Sequence, residues 1–241
     1  MYNKEEIYAY LKDIDIIATD VDDTLTINGL LTSEVVSALE KLKHAGKKII
    51  LVTGRSGGAC TTLSQYLPVE MVIAENGGVI IKNHDIKAIH LPHDHSERLH
   101  KCFENIIKTF PYIKPAQDNP FRLTDLSIDN RSIHEHELTM IKDIAQSFGL
   151  TIVVSSVQTH ILSNECSKGN TLKSVTDGKK LVTIGDSAND ESMFNPQLFP
   201  LSVGVANISR YLDKMYYKPR WIMSKAEGHG FIEFANILLS P

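Results

Sequence analysis

Apolar and polar residues follow two periods along this chain, and changes of period mark its parts. Ile14-Asp15-Ile16-Ile17-Ala18-Thr19 and Lys48-Ile49-Ile50-Leu51-Val52 are short apolar runs with polar boundaries. That pattern predicts strands buried on both faces. Met71-Val72-Ile73-Ala74, Leu181-Val182-Thr183-Ile184 and the run 201–205 repeat it. Between them the period becomes helical. Val35, Val36, Leu39 and Leu42 follow Ser33, which reads as an N-cap, and Gly46 closes that helix. Other helices are expected through Leu63 and Tyr66 up to Pro68, from Lys168 through Leu172 and Val175, from Asn189-Asp190-Glu191, and through Phe231, Phe234, Ile237 and Leu238. Strands alternating with helices predict an α/β fold, a Rossmann-like doubly wound parallel sheet. Asn28-Gly29, between Ile27 and Leu30, is a two-residue hairpin signal just after the first strand.

After Gly78 the pattern changes. Helices are expected at 96–110 and at 133–148, the second capped by Gly149, with strands at 151–154 and 157–162. The span of about 85 residues is long enough for a small α+β domain. The expected organisation is a core of residues 1–80 and 166–241 with an inserted α+β cap at 81–165.

Composition narrows the function classes. An apolar content of 42% in 241 residues supports a real hydrophobic core. The formal net charge of -4, with both signs interspersed, gives no basic stripe for nucleic acid. No apolar run has the length of a membrane span, and residues 1–11 lack the basic and apolar regions of a secretory signal. Cys60, Cys102 and Cys166 are odd in number and unevenly spaced, which fits reduced thiols and a cytoplasmic location.

The chemistry gathers at strand ends. Asp20 and Asp22, with Asp23 beside them, follow the first strand, where a parallel sheet presents its ligand site. Carboxylates this close repel unless a cation neutralises them, and a hard divalent ion such as Mg2+ suits oxygen ligands. The bland alternative is an Asx-rich turn. The second strand ends in Thr53-Gly54-Arg55, a helix opens at Lys168, and another strand ends in Gly185-Asp186, with Asn189 and Asp190 after it. Taken singly, these read equally as a turn, a solvated lysine and an N-cap. His90, His93, His95 and His100, with Asp94, could hold zinc or form a solvated loop.

Taken together and in this order, the four segments around Asp20-Val21-Asp22-Asp23-Thr24, Thr53-Gly54, Lys168 and Gly185-Asp186 resemble the motifs of the haloacid dehalogenase superfamily, in its phosphohydrolase branch. Glu75-Asn76-Gly77-Gly78 and Glu227-Gly228-His229-Gly230-Phe231 are similar to the large-cap subgroup, the Cof-type and sucrose-phosphatase-like enzymes. Asp23 stands where many large-cap members carry Gly.

The resemblance implies a Mg2+-dependent phosphomonoester hydrolase. Asp20 would be the nucleophile and Asp22 the general acid and base. Thr53, Gly54, Arg55, Asn76, Lys168 and Asn189 would bind substrate, with Thr53 and Lys168 also catalytic. Asp20, Asp22 (through its carbonyl), Asp186 and Asp190 form the metal set, Asp190 acting from behind. The expected partner is a small phosphorylated metabolite, with no nucleic acid and no membrane. A phosphomutase would use the same residues, and phosphoprotein phosphatases occur in the superfamily. A response-regulator receiver, with its similar Asp, Thr and Lys set, is shorter and lacks an inserted domain. Arg122, Arg131 and the polar stretch 155–160 are the candidate specificity residues of the cap.

Overall fold

The computed structural model describes residues 3–83 and 85–240. The apolar runs become strands β1 (Ile16–Thr19), β2 (Lys48–Val52), β3 (Met71–Ala74), β4 (Val79–Lys82) and β5 (Asp85–Ala88). Late in the chain come β9 (Leu181–Gly185), β10 (Ser202–Gly204) and β11 (Trp221–Ile222). They form one sheet in the order β11-β10-β9-β1-β2-β3-β4-β5, parallel from β11 to β3 and antiparallel beyond. Ile16 of β1 faces Lys48 on one side and Leu181 on the other. The chain moves outward from β1 through β2 and β3, then returns to build β9 to β11 on the opposite side. The carboxyl end of β1 is therefore the switch point, where such sheets open a crevice.

The helices on this sheet are α1 (Lys4–Leu11), α2 (Ser33–His44), α3 (Gly57–Tyr66), α6 (Lys168–Thr176) and α7 (Glu227–Leu239). Strand period splits the apolar residues between two cores. Ile17 packs with Leu39, Leu42, Phe231 and Phe234, while Ile16 and Ala18 pack with Ile50, Leu172 and Phe199. Both faces of the sheet are covered, the doubly wound arrangement expected from the sequence.

A second, three-stranded antiparallel sheet runs β6 (Asp125–Asp129), β8 (Gln158–Ser163), β7 (Leu150–Val154). Helices α4 (His95–Thr109) and α5 (Leu138–Ser147) lie on it. Its separate core holds Leu99, Ile106, Ile128, Ile141 and Ile161. Because Ile161 faces that core, its neighbour His160 points from the opposite face, by the two-residue period of a strand.

Several boundaries differ from the sequence pattern. The larger sheet continues through β5 to Ala88, beyond residue 80. Helix α5 is shorter than 133–148, because 130–132 and 135–137 wind as 3-10 turns, the second capped by Glu137 accepting from the His134 N–H at 2.8 Å. The segment Ala188–Phe194 is also a 3-10 turn. Thr32, not Ser33, occupies the N-cap position of α2. The hairpin forms as expected: Ile27 and Leu30 exchange hydrogen bonds of 2.8 and 3.0 Å across Asn28 and Gly29, both at positive φ. No helix among the described residues is long and apolar enough to cross a membrane.

Candidate active site

Asp20 leaves the end of β1 with its N–H bonded to the Ile184 carbonyl at 2.9 Å. The chain then turns, Leu25 and Thr26 N–H groups returning to the Val21 carbonyl. Asp23 takes φ 57 in this turn, a left-handed conformation that glycine adopts freely and aspartate tolerates. Its N–H is held by Thr26 Oγ1 at 2.8 Å. The departure from Gly at this position thus keeps the turn.

Lys168 lies under the carboxylates with a side chain only 1% exposed. Its Nζ is 2.7 Å from Asp20 Oδ1 and 2.7 Å from Asp190 Oδ1. Ser167 caps α6 by accepting from the Asn170 N–H, which sets the lysine at the helix start. Asp190 Oδ2 accepts from the N–H groups of Asp186 (2.9 Å) and Ser187 (3.3 Å). Both oxygens of Asp190 are therefore engaged. Asp186 accepts from Thr24 Oγ1 at 3.3 Å and from Asn207 Nδ2 at 2.9 Å.

Asp20, Asp186 and Asp190 each bring an oxygen within 4.8 Å of the others. With all three carboxylates ionised, one ammonium would leave the cluster two negative charges. The cost shows in the acidities. Burial, then Asp190 and Asp22, hold the Asp20 carboxyl well above the usual range despite Lys168. Burial, then Asp190 and Asp20, do the same to Asp186. Burial pulls the Lys168 ammonium down, but Asp190 and Asp20 outweigh it and raise it overall. A hard divalent cation would balance this charge, and all-oxygen donors suit it. The Asp22 side chain lies outside the cluster. Its carboxylate pairs with Arg55, Nε at 2.9 Å from Oδ2 and Nη2 at 2.5 Å from Oδ1.

Thr53 is buried, and its Oγ1 accepts from the Arg55 N–H at 3.2 Å, which leaves the hydroxyl hydrogen free to donate. A Cβ on Gly54 would lie 3.1 Å from both Asn76 Oδ1 and His160 Nε2, so only glycine fits between them without a shift. Asn76 is 3% exposed, and neither of its amide atoms has a partner. Asn189 Oδ1 accepts from Ser187 Oγ at 2.7 Å. A cavity of about 80 Å³ separates the two sheets here. Asp20, Asp22, Asp186 and Asn189 line one side, and Asp118, Gln158 and His160 line the other.

Glu75, which opens the Glu75-Asn76-Gly77-Gly78 motif, and Arg122, a candidate specificity residue, organise the cap side of the cavity. Glu75 has φ 51 and its two successors are also left-handed, a strained turn of the kind found at working sites. The turn aims the Glu75 carboxylate at the N–H groups of Gly57 (2.8 Å), Leu123 (3.0 Å) and Thr124 (2.7 Å), and at Thr124 Oγ1 (2.7 Å). Arg122, 1% exposed, reaches the Gly54 carbonyl (3.1 Å), Asp125 (2.8 Å), Asp118 (2.8 Å) and Gln158 (2.8 Å). Asp125 in turn holds His160 Nδ1 at 3.0 Å. Asn207 and Asp125 carried no local signal, since a single polar residue after a strand or in one is common. Arg131 instead pairs with Asp129 on the surface. His95 is buried with Nε2 2.8 Å from the Thr124 carbonyl, a packing role between α4 and the 122–125 segment. Cys60, Cys102 and Cys166 are buried free thiols.

Comparison with known proteins bears on this geometry. The family described as haloacid dehalogenase-like hydrolase matches residues 17–113 and 93–231. A phosphoglycolate phosphatase of Methanobrevibacter smithii is 30% identical over 84% of this chain and 90% of its own. Another, of Picrophilus torridus, is 29% identical over 87% of this chain and 86% of its own. A Thermoplasma acidophilum structure superposes with a TM-score of 0.77 at 20% identity, covering 93% of this chain and 99% of its own. The sucrose-phosphatase of Synechocystis does so at 0.71 and 16% identity, over 93% and 98%.

Proposed function

This chain belongs to the haloacid dehalogenase-like hydrolase family and is a phosphatase, and from that premise we propose that it hydrolyses a small phosphorylated acid through an aspartyl-phosphate on Asp20, with Mg2+ as cofactor. The observation that carries the reading is the buried cluster in which Lys168 bridges Asp20 and Asp190 beside Asp186.

Lys168 occupies one oxygen of Asp20, and the other is the attacking atom. As it bonds to phosphorus, the ester oxygen leaves and takes a proton from Asp22, which carries that proton once released from its ion pair with Arg55. Lys168, the Thr53 hydroxyl and the Gly54 N–H offset charge on the transferring phosphoryl oxygens. Asp22, now a carboxylate, removes a proton from water as that water attacks the phosphoenzyme. Phosphate departs and Asp20 is restored. Asp20, Asp186 and the Asp22 carbonyl would hold Mg2+, which supplies charge neutralisation for the phosphate when bound. Asp190 acts from behind by fixing Lys168 and the Asp186 turn. We place the cap between about residue 90 and residue 165, with Glu75 fastening it to the core.

The substrate class rests on two supports. The cavity between the sheets brings Asp20 and Asp22 opposite polar cap side chains, Gln158 and His160, which suits a small polar substrate. The relatives at about 30% identity are named for phosphoglycolate. The three buried thiols fit a reducing, cytoplasmic setting.

The test is phosphate release from phosphoglycolate with Mg2+, alongside capture of phosphoenzyme. Asp20→Asn should lose about a thousandfold or more in kcat while keeping its circular dichroism. Activity within tenfold of wild type would end the assignment of Asp20.

A further inference from the structure

We propose that His160 Nε2 and the Asn76 amide form a subsite for a carboxylate carried by the substrate beside its phosphate. This inference rests on the phosphatase reading above.

The subsite is built from both parts of the molecule. His160 projects from the face of β8 opposite the cap's own core, into the cavity beside Asp20. Its Nδ1 is occupied by Asp125 at 3.0 Å, so Nε2 is the nitrogen left for a ligand. Asn76 comes from the turn after β3. His160 Nε2 (3.1 Å) and both Asn76 amide atoms, Oδ1 (3.1 Å) and Nδ2 (3.3 Å), stand close to the point where a Gly54 Cβ would sit, so the ring edge and the amide flank Gly54 at one spot. That spot adjoins the Thr53-Gly54 phosphate-binding candidates.

Two observations point to an anion. The Asn76 amide is buried and neither atom is partnered, which is costly unless a ligand completes it. The second is which cations are already used. Arg55 is paired with Asp22, and Arg122 is spent on Asp118, Asp125 and Gln158. Of the described side chains lining the cavity, His160 is the remaining one that can offer positive charge. Asp125 Oδ2 at 3.0 Å and Arg122 Nη1 at 3.5 Å both lie on the Nδ1 side of the ring and fix its orientation, so Nε2 is the edge turned toward the cavity. With its proton on Nε2 the ring is one donor and Asn76 Nδ2–H is a second, and a carboxylate has two acceptor oxygens. Glu75 keeps the parts aligned, because it holds Leu123 and Thr124, next to Asp125.

The experiment compares 2-phosphoglycolate with ethyl phosphate, which has the same ester but no carboxylate. The quantity read is the ratio of their kcat/KM values, with Mg2+ present. The wild-type protein should prefer phosphoglycolate. His160→Gln should reduce the ratio about tenfold to a hundredfold, mostly through KM. Asp125→Asn, at a positioning residue, should reduce it less and in the same direction. A wild-type ratio near one, or a ratio unchanged in His160→Gln whatever the absolute rates, overturns the subsite and leaves the phosphatase reading standing. Wild-type protein that releases phosphate from neither ester overturns both.

Discussion

Arg55 grips the Asp22 carboxylate at two points, Nε to Oδ2 at 2.9 Å and Nη2 to Oδ1 at 2.5 Å. Bidentate pairs of this kind fix orientation as well as charge. Arg55 thereby keeps Asp22 beside the cavity and away from the Asp20, Asp186 and Asp190 cluster. The two aspartates, two residues apart, are separated in role by their partners.

Asp22→Asn should therefore act on the leaving group. An alkyl alkoxide needs a proton as it departs, while nitrophenolate needs little help. Loss of a general acid costs about 10²- to 10⁴-fold. Single-turnover kinetics should show that loss for phosphoglycolate and far less for nitrophenyl phosphate, with phosphoenzyme accumulating from the aryl ester. Equal slowing of the first step for both would make Asp22 a holder of the loop.

The metal-free protein should lose stability as pH rises. Burial is the largest cause that raises Asp20 and Asp186 above the usual carboxylate range. Each binds its proton more tightly folded than unfolded. Their contribution is complete below the unfolded value, about 4, and is lost as pH climbs through the raised folded values. Melts in chelator from pH 5 to 9 should show a falling Tm, with a shallower fall in Asp20→Asn. Saturating Mg2+ should flatten the profile, and chelation should abolish phosphate release. A Tm in chelator that rises over this range would refute the charge account.

Lys168→Met removes the one ammonium from three buried carboxylates. Breaking a buried pair in this way costs about 3–5 kcal/mol. Urea unfolding in chelator should show a loss of that size at pH 8 and a smaller one at pH 5, where the carboxyls take up protons. Activity should fall at least as far as in Asp20→Asn. Equal stability at both pH values would mean that the ammonium does not balance the cluster.

Glu75→Gln tests the clasp between core and cap. The carboxylate accepts from Gly57, Leu123 and Thr124, and an amide has only one oxygen to offer them. The expected loss is about 1–3 kcal/mol. KM for phosphoglycolate should rise more than kcat falls, because the 122–125 segment aligns His160 without touching phosphorus. A change confined to kcat would place Glu75 in the chemistry instead.

Much of this was legible in the sequence because it is local. Short continuous apolar runs and period 3.6 distinguish the core strands from helices, and Asn28-Gly29 specifies its own turn by requiring positive φ at both residues. The carboxylates of Asp20 and Asp186 fall at strand ends because a parallel sheet aligns those ends, so the motifs could be read before any contact was known. Helix boundaries at 133–148 and 189–194 were less legible, since polar first turns wind as 3-10 or α depending on which side chain caps them. Tertiary structure alone decided which cation serves which carboxylate. Lys168 is 148 residues from Asp20 and Arg55 is 33 from Asp22, and nothing along the chain assigns those pairs. It alone brought His160 of the smaller sheet and Asn76 of the turn after β3 together at Gly54, 84 residues apart in sequence. Hydrophobic periodicity records which face of an element is buried, but which two faces meet depends on packing the elements together.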